Sequence, residues 1–226
     1  MKSVYLLSDF NEHDDFKEKL IKDMKRDLIS YDSIVFICSS PNEYQKSDYY
    51  FNSSIKWLES GGIKFNDYCL LDNRINKIEA NRYIKNSSCI VLMGGITRDQ
   101  MVYLRECDLI ESLQNHNGVI IGISAGAINL AVNSLCLEEP KNADSIRYVG
   151  LGLTDKTIYP HFSIDDHEIV NELTRYTKDS VIYGICECSA IIERENETIF
   201  IGEVYEISNN KIVKGIINEK IDNGSI

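Results

Sequence analysis

A chain of 226 residues with 43% hydrophobic and 26% charged side chains has the proportions of a globular protein, long enough to bury a core without disulfide or metal staples. Its net charge of −11 repels a phosphate backbone, which argues against nucleic acid as a partner and otherwise serves solubility. With three prolines and no Gly/Ser-rich or repeated stretch there is no candidate linker, so a single α/β domain over residues 1–226 is expected.

Apolar runs of strand length alternate with longer amphipathic stretches, the pattern of a mostly parallel sheet with helices on both faces. The opening MKSVYLLSDF reads as a strand at Ser3–Leu7 rather than a secretion signal, and no apolar run approaches membrane-spanning length. A helix follows near Asp14–Ser30, with Phe16, Leu20, Ile21, Met24 and Leu28 at helical spacing, then a strand at Ser33–Cys38. A helix around Tyr44–Ser60 stops at Gly61-Gly62, a strand covers Phe65–Leu71, and a short helix covers Arg74–Asn86. The buried strand Cys89–Met93 ends in Gly94-Gly95, and a helix runs from Thr97 to Asn115. The strand Gly118–Ile123 continues into a helix over Ser124–Leu135. After a charged loop at Glu138–Arg147 come a strand-like segment at Thr157–His161 and a helix near Asp165–Thr177. The remainder reads as β, at Val181–Cys186, Ala190–Glu193, Thr198–Ile207 and Lys211–Ile217, with Asn209-Asn210 as a hairpin turn. These last strands are expected to form an antiparallel extension at the C-terminal edge.

Seven cysteines, at positions 38, 69, 89, 107, 136, 186 and 188, make an odd count at irregular spacings. Free thiols in a reducing cytoplasm are the expectation, and the Cys-x-Cys around Glu187 lacks the further ligands that structural zinc requires.

In an open α/β sheet ligands bind at the carboxyl ends of strands, and Ser124 stands at such an end, between an apolar strand and an alanine-rich helix start. Its neighbours Gly122, Ala125 and Gly126 are small, as a sharp turn that exposes one side chain requires. This is the steric logic of the Gly-x-Ser-x-Gly nucleophile elbow. The competing reading makes Ser124 a plain helix N-cap. Gly94-Gly95-Ile96-Thr97 ends the neighbouring strand, and the Gly95 and Ala125 amides could together form an oxyanion hole, unless the glycines merely turn the chain. Of four histidines, His13, His116 and His167 lie in polar helix-flanking segments and are expected to face solvent. His161, in Tyr-Pro-His-Phe at the end of a strand-like run, is the candidate base. For the orienting carboxylate, Glu187 after the apolar run VIYGIC competes with Glu139 in the loop after the nucleophile's helix.

Taken together, Gly94-Gly95-x-Thr97, Gly122-Ile-Ser124-Ala125-Gly126-Ala127, Pro160-His161-Phe162 and Gly184-Ile-Cys-Glu187 resemble the peptidase E family, peptidase S51, which contains the aspartyl dipeptidases and cyanophycinases. The match keeps order and spacing from the first strand to the C-terminal strands. The resemblance implies a class I glutamine amidotransferase-like (flavodoxin-like) fold, with Ser124 as nucleophile, His161 as general base and Glu187 at the third triad position. Glu139 falls near a position where an acidic residue has also been proposed to act in the dipeptidases. The implied activity is hydrolysis of a peptide or related amide bond in a small, dipeptide-like substrate, with no metal and no organic cofactor. The substrate is the expected partner, together with at most a second copy in a homodimer. The chain departs from the family's usual pattern at Ile96 and Ile128, where asparagine is common, and at Ser163-Ile-Asp-Asp166, where the dipeptidases carry an Arg-containing segment. Arg98 is then the basic side chain placed to contact substrate from the opposite wall, and a preference for N-terminal aspartate is not expected. The runner-up is a non-catalytic small-molecule binding or regulatory protein that retains the elbow. Glutamine amide transfer, which on this fold uses Cys at the elbow, is disfavoured by Ser124.

Overall fold

The computed structural model describes residues 2–10, 13–137, 146–178, 180–209 and 211–215. The first part of the chain runs β1 (Ser3–Leu7), α1 (Asp14–Asp27), β2 (Ser33–Ile37), α2 (Tyr44–Ser60), β3 (Asp67–Leu71), α3 (Lys77–Asn86), β4 (Cys89–Leu92), α4 (Thr97–Glu106), α5 (Ile110–Gln114), β5 (Val119–Ile123) and α6 (Ala125–Leu130). The second part runs β6 (Asn133–Cys136), β7 (Ile146–Val149), β8 (Thr157–Pro160), α7 (His167–Arg175), β9 (Ile182–Ile185), β10 (Ala190–Arg194), β11 (Glu197–Ile201), β12 (Val204–Ser208) and β13 (Lys211–Lys214).

A strand covered on both faces must be apolar throughout, and period-two alternation then sends neighbouring residues to opposite layers. Val4, Leu6, Val35, Ile37, Ile90, Leu92 and Ile120 face one layer, built by α3, α4 and α6 through Ile84, Leu104 and Leu130. Tyr5, Leu7, Ile34, Phe36, Val91 and Ile121 face the other, closed by Leu20 and Met24 of α1 and Trp57 and Leu58 of α2. The main sheet has the order β11-β10-β1-β5-β4-β2-β3. Strands β1, β5, β4, β2 and β3 are parallel neighbours in that order, and the β10–β11 hairpin is added antiparallel beside β1.

The later strands do not form one continuous extension. Beside the β10–β11 hairpin, a second sheet of order β13-β12-β9-β8 holds its own small core of Leu135, Phe162, Leu173, Ile182 and Ile207. Strands β8 and β9 are parallel there, so both carboxyl ends point the same way. Gly184 in β9 is required by this packing, because a Cβ there would lie 2.6 Å from the Phe162 ring.

Three helical expectations are corrected. The helix expected over Thr97–Asn115 divides at Asp108, whose φ of +55° closes α4. The Leu109 and Asp108 amides return to the Leu104 and Arg105 carbonyls, a Schellman closure with Asp in place of Gly. The helix expected over Ser124–Leu135 stops at Leu130, because Val132, Asn133 and Ser134 are weak helix formers and the chain turns into β6, paired with β7. The helix expected from Arg74 begins at Lys77, where the Asn76 side chain accepts from the Ile78 and Glu79 amides. The hairpin turn at Asn209-Asn210 lies partly outside the described residues, since Asn210 is not among them. No helix among the described residues is long and apolar enough to cross a membrane.

Candidate active site

Parallel pairing places Leu7 beside Ile123 and Leu92 beside Gly122, so β1, β4 and β5 end at one level. Ser124 follows β5 with φ +51° and ψ −110°, a conformation that costs an ordinary residue energy and is kept only where the surroundings impose it. The surroundings do so: the Ser124 amide donates to the Leu7 carbonyl at 2.9 Å, while its own carbonyl receives the Ile128 amide at 3.1 Å. The flanking glycines are sterically required. A Cβ on Gly122 would meet the Ala127 amide nitrogen at 2.6 Å, and one on Gly126 the Leu92 carbonyl oxygen at 2.1 Å. Ser124 makes no side-chain cap bond to α6. Its hydroxyl instead lies 2.9 Å from His161 Nε2.

His161 and Glu187 come from the second sheet, one residue beyond β8 and two beyond β9. His161 Nδ1 is 2.6 Å from Glu187 Oε1. A carboxylate only accepts, so Nδ1 carries the proton, Nε2 presents its lone pair, and the Ser124 hydroxyl donates to it. The His161 and Glu187 side chains are 48% and 56% exposed, so substrate and water can reach the pair. His161 also has a positive φ, +56°. Ser8, fully buried at the end of β1, holds that turn by accepting the His161 amide proton at 2.9 Å, and its Oγ is 3.2 Å from Nδ1. The backbone beneath Glu187 is tied by buried Ser189, which donates to the Glu187 carbonyl at 3.1 Å and accepts the Glu203 amide at 2.8 Å.

The turn at Gly94-Gly95 is equally fixed. Ser39 Oγ donates to the Gly94 carbonyl. Gly95 has φ +132°, and a Cβ there would lie 2.1 Å from Ser39 Oγ. Beneath the turn, buried Gln100 donates to the Met93 and Ile37 carbonyls at 3.0 and 3.2 Å. Asn129 in turn donates to the Gln100 side-chain oxygen at 2.9 Å and to the Thr97 carbonyl at 3.0 Å.

Ser8, Gly95, Ser124 and His161 line one cavity of about 540 Å³, which extends toward Phe10, Trp57 and the exposed face of α2. Arg98 does not line it; the residue lies in the first turn of α4. Glu139 lies outside the described residues. Ser8 is the site residue that sequence reasoning missed. A polar side chain ending the apolar run SVYLL, one strand over from Ser124, is the signal that could have found it.

All seven cysteines are free. Cys186 is raised to about 11 by burial and then by the Glu203 charge, and Cys188 is raised by burial and by the Asp9 and Glu187 charges. Both shifts favour the protonated thiols over the more nucleophilic thiolates. Among the described residues, no group of three or more His, Cys, Asp or Glu is arranged to hold a metal ion.

Residues 4–201 match the model of peptidase family S51. The chain belongs to this family. A crystal structure of a peptidase from an acI-B1 Actinobacterium superposes with a TM-score of 0.71 at 16% sequence identity, covering 98% of this chain and 96% of that one. A candidate peptidase E protein from Listeria monocytogenes EGD-e superposes at 0.68 with 22% identity, covering 89% of this chain and 98% of that one. Both share the α/β architecture. No curated protein matches in sequence. As a member of family S51, the chain is a peptidase.

Proposed function

We propose that this S51 peptidase is of the serine type and acts on small, dipeptide-like substrates, with Ser124 as nucleophile, His161 as general base and Glu187 as the orienting carboxylate. The observation that carries the reading is the unbroken chain of contacts from Ser124 Oγ to His161 Nε2 at 2.9 Å and from His161 Nδ1 to Glu187 at 2.6 Å. Ser124 Oγ attacks the substrate carbonyl carbon as its proton passes to Nε2. The imidazolium, stabilised by Glu187, then gives that proton to the departing amine. Water, deprotonated by the same nitrogen, attacks the acyl carbon, and the imidazolium returns that proton to Ser124 Oγ as the carboxylic acid product leaves. The amides of Gly95 and Ala125 are the proposed oxyanion donors, each worth roughly 10²- to 10³-fold in rate in comparable sites.

The test is a fluorophosphonate probe offered to wild type and to Ser124→Ala. Labelling of the wild type alone supports a nucleophilic Ser124. An unlabelled wild type that also leaves a broad dipeptide panel intact would favour the non-catalytic binding protein. Glu139→Gln, assayed beside Glu187→Gln, decides which carboxylate serves His161.

A further inference from the structure

One end of the Ser124 cavity is walled by aromatic rings. Phe10, following β1, stacks on Trp57 of α2 with centroids 4.4 Å apart and planes within 4°. Tyr49 and Tyr50, also lining the cavity, meet edge to face at 5.3 Å yet remain 67% and 52% exposed. Two adjacent tyrosines so open to water, beside half-buried Phe10, form an apolar surface that the fold leaves uncovered, backed by buried Trp57 and Met93. The charges point the same way. Lys46 is the one cation among the cavity-lining residues, and it is paired with Glu43 at 3.0 Å. Asp9 is the one carboxylate among them. Lys17, whose Nζ lies 5.1 Å from the Trp57 ring centroid, donates to the Ser60 hydroxyl at 2.9 Å. An acidic substrate side chain would lose hydration, face Asp9 and find both lysines near the wall already engaged.

Resting on the serine-peptidase reading above, we infer that the preferred substrates are short peptides with a large apolar or aromatic side chain beside the scissile amide, seated against Tyr49, Tyr50 and the Phe10–Trp57 stack. Aspartyl peptides are disfavoured. Burial of such a side chain makes Phe-Ala or Ala-Phe about 10- to 100-fold better in kcat/KM than Ala-Ala. The two sequence orders identify which side of the bond the wall serves.

The experiment measures kcat/KM for Phe-Ala, Leu-Ala, Ala-Ala and Asp-Ala and for the reversed peptides, with wild type and with the double variant Tyr49→Ala/Tyr50→Ala. Both tyrosines are solvent-exposed, so the variant is expected to fold. Binding of the same peptides to Ser124→Ala is measured by calorimetry, which reads the wall without needing turnover. Preference for the aromatic peptide in either order, with the Phe-to-Ala ratio falling toward one in the double variant, supports the inference. Equal turnover of Phe and Asp peptides, or a ratio unchanged in the double variant, overturns it. Fluorophosphonate labelling without aromatic preference sinks the specificity alone. Tight aromatic-peptide binding by Ser124→Ala, with no labelling of the wild type, keeps the wall and sinks the serine-peptidase reading.

Discussion

Two of the residues at the proposed reacting centre owe their position to constraints on the backbone rather than to their own side chains. Ser124 and His161 both sit at positive φ, and each is held there by a hydrogen bond to a residue ending β1, the Leu7 carbonyl for Ser124 and the Ser8 hydroxyl for His161. Glu187 fixes the tautomer of His161 through a single 2.6 Å contact. Glu187→Gln should lower kcat by roughly 10³- to 10⁴-fold, because an amide can satisfy the ring in the wrong tautomer and cannot stabilise the imidazolium. Stability should be little changed, since the side chain is 56% exposed. A variant with wild-type kcat would remove Glu187 from the mechanism. Ser8 acts at one remove, as a positioning residue. Ser8→Ala leaves the His161 amide without its acceptor, and kcat should fall about 5-fold with KM nearly unchanged, in line with the loss of one hydrogen bond of about 1 kcal/mol. Ser8→Thr, which retains a hydroxyl, should recover part of that loss, and failure to do so would point to packing alone.

At the scale of elements, the joint between α1 and the β10–β11 hairpin depends on one buried cation. Arg194, with its side chain only 4% exposed, donates from Nε to both Asp27 oxygens at 2.9 Å, and from its other nitrogens to Asp23 at 2.6 Å and Glu197 at 3.0 Å. The Tyr5 hydroxyl donates to Asp27 at 2.6 Å and is held protonated by burial and by that carboxylate. Arg194→Ala leaves Asp27 buried without its cation, so a loss of about 3 kcal/mol is expected in urea unfolding, with labelling of the remaining folded protein unchanged. A midpoint equal to that of wild type would show the cluster to be neutral. Such joints are invisible in sequence, whereas the parallel strands were legible because both faces are covered and their runs are apolar throughout. The breaks at Asp108 and Ala131 were not: a Schellman closure with Asp lacks the usual glycine signal, and the end of α6 is decided by the pairing of β6 with β7. Ser124 stood out because Gly122 and Gly126 answer local clashes, which sequence records. Ser8 left only the weaker mark of a polar residue ending an apolar run, because its bond to His161 forms only when the turn after β8 packs beside it, a tertiary event. The assignment of the later strands to two sheets was likewise hidden, since alternation marks a strand but not its neighbour.

For the molecule as a whole, β5 joins two ends with different work. Ser124 leaves its carboxyl end, while at its start His116 is 7% exposed and not solvent-facing as its polar surroundings suggested. The reason is packing: Gly118, immediately before the strand, is so close that a Cβ would lie 2.6 Å from His116 Nε2, a nitrogen with no hydrogen-bond partner among the described residues. Burial, reinforced by the charge of Lys2, pushes this histidine down from 6.5 to about 4. The folded protein thus keeps His116 neutral where the unfolded chain binds a proton. Between about pH 4 and 6.5 the unfolded state holds more protons, so stability rises with pH across that window; it is complete above it and is lost as the pH falls through it. The depression is worth on the order of 3 kcal/mol. Since carboxylates add their own acid dependence, the measurement is a difference: urea midpoints for wild type and His116→Gln, from pH 7 down to 4. The variant should be less stable at pH 7, having lost a fitted ring, yet should lose about 3 kcal/mol less on acidification. Parallel acid limbs for the two proteins would mean that His116 can take up its proton without unfolding, and that the polar cavity it lines with Asp108 and Glu111 accommodates the charge.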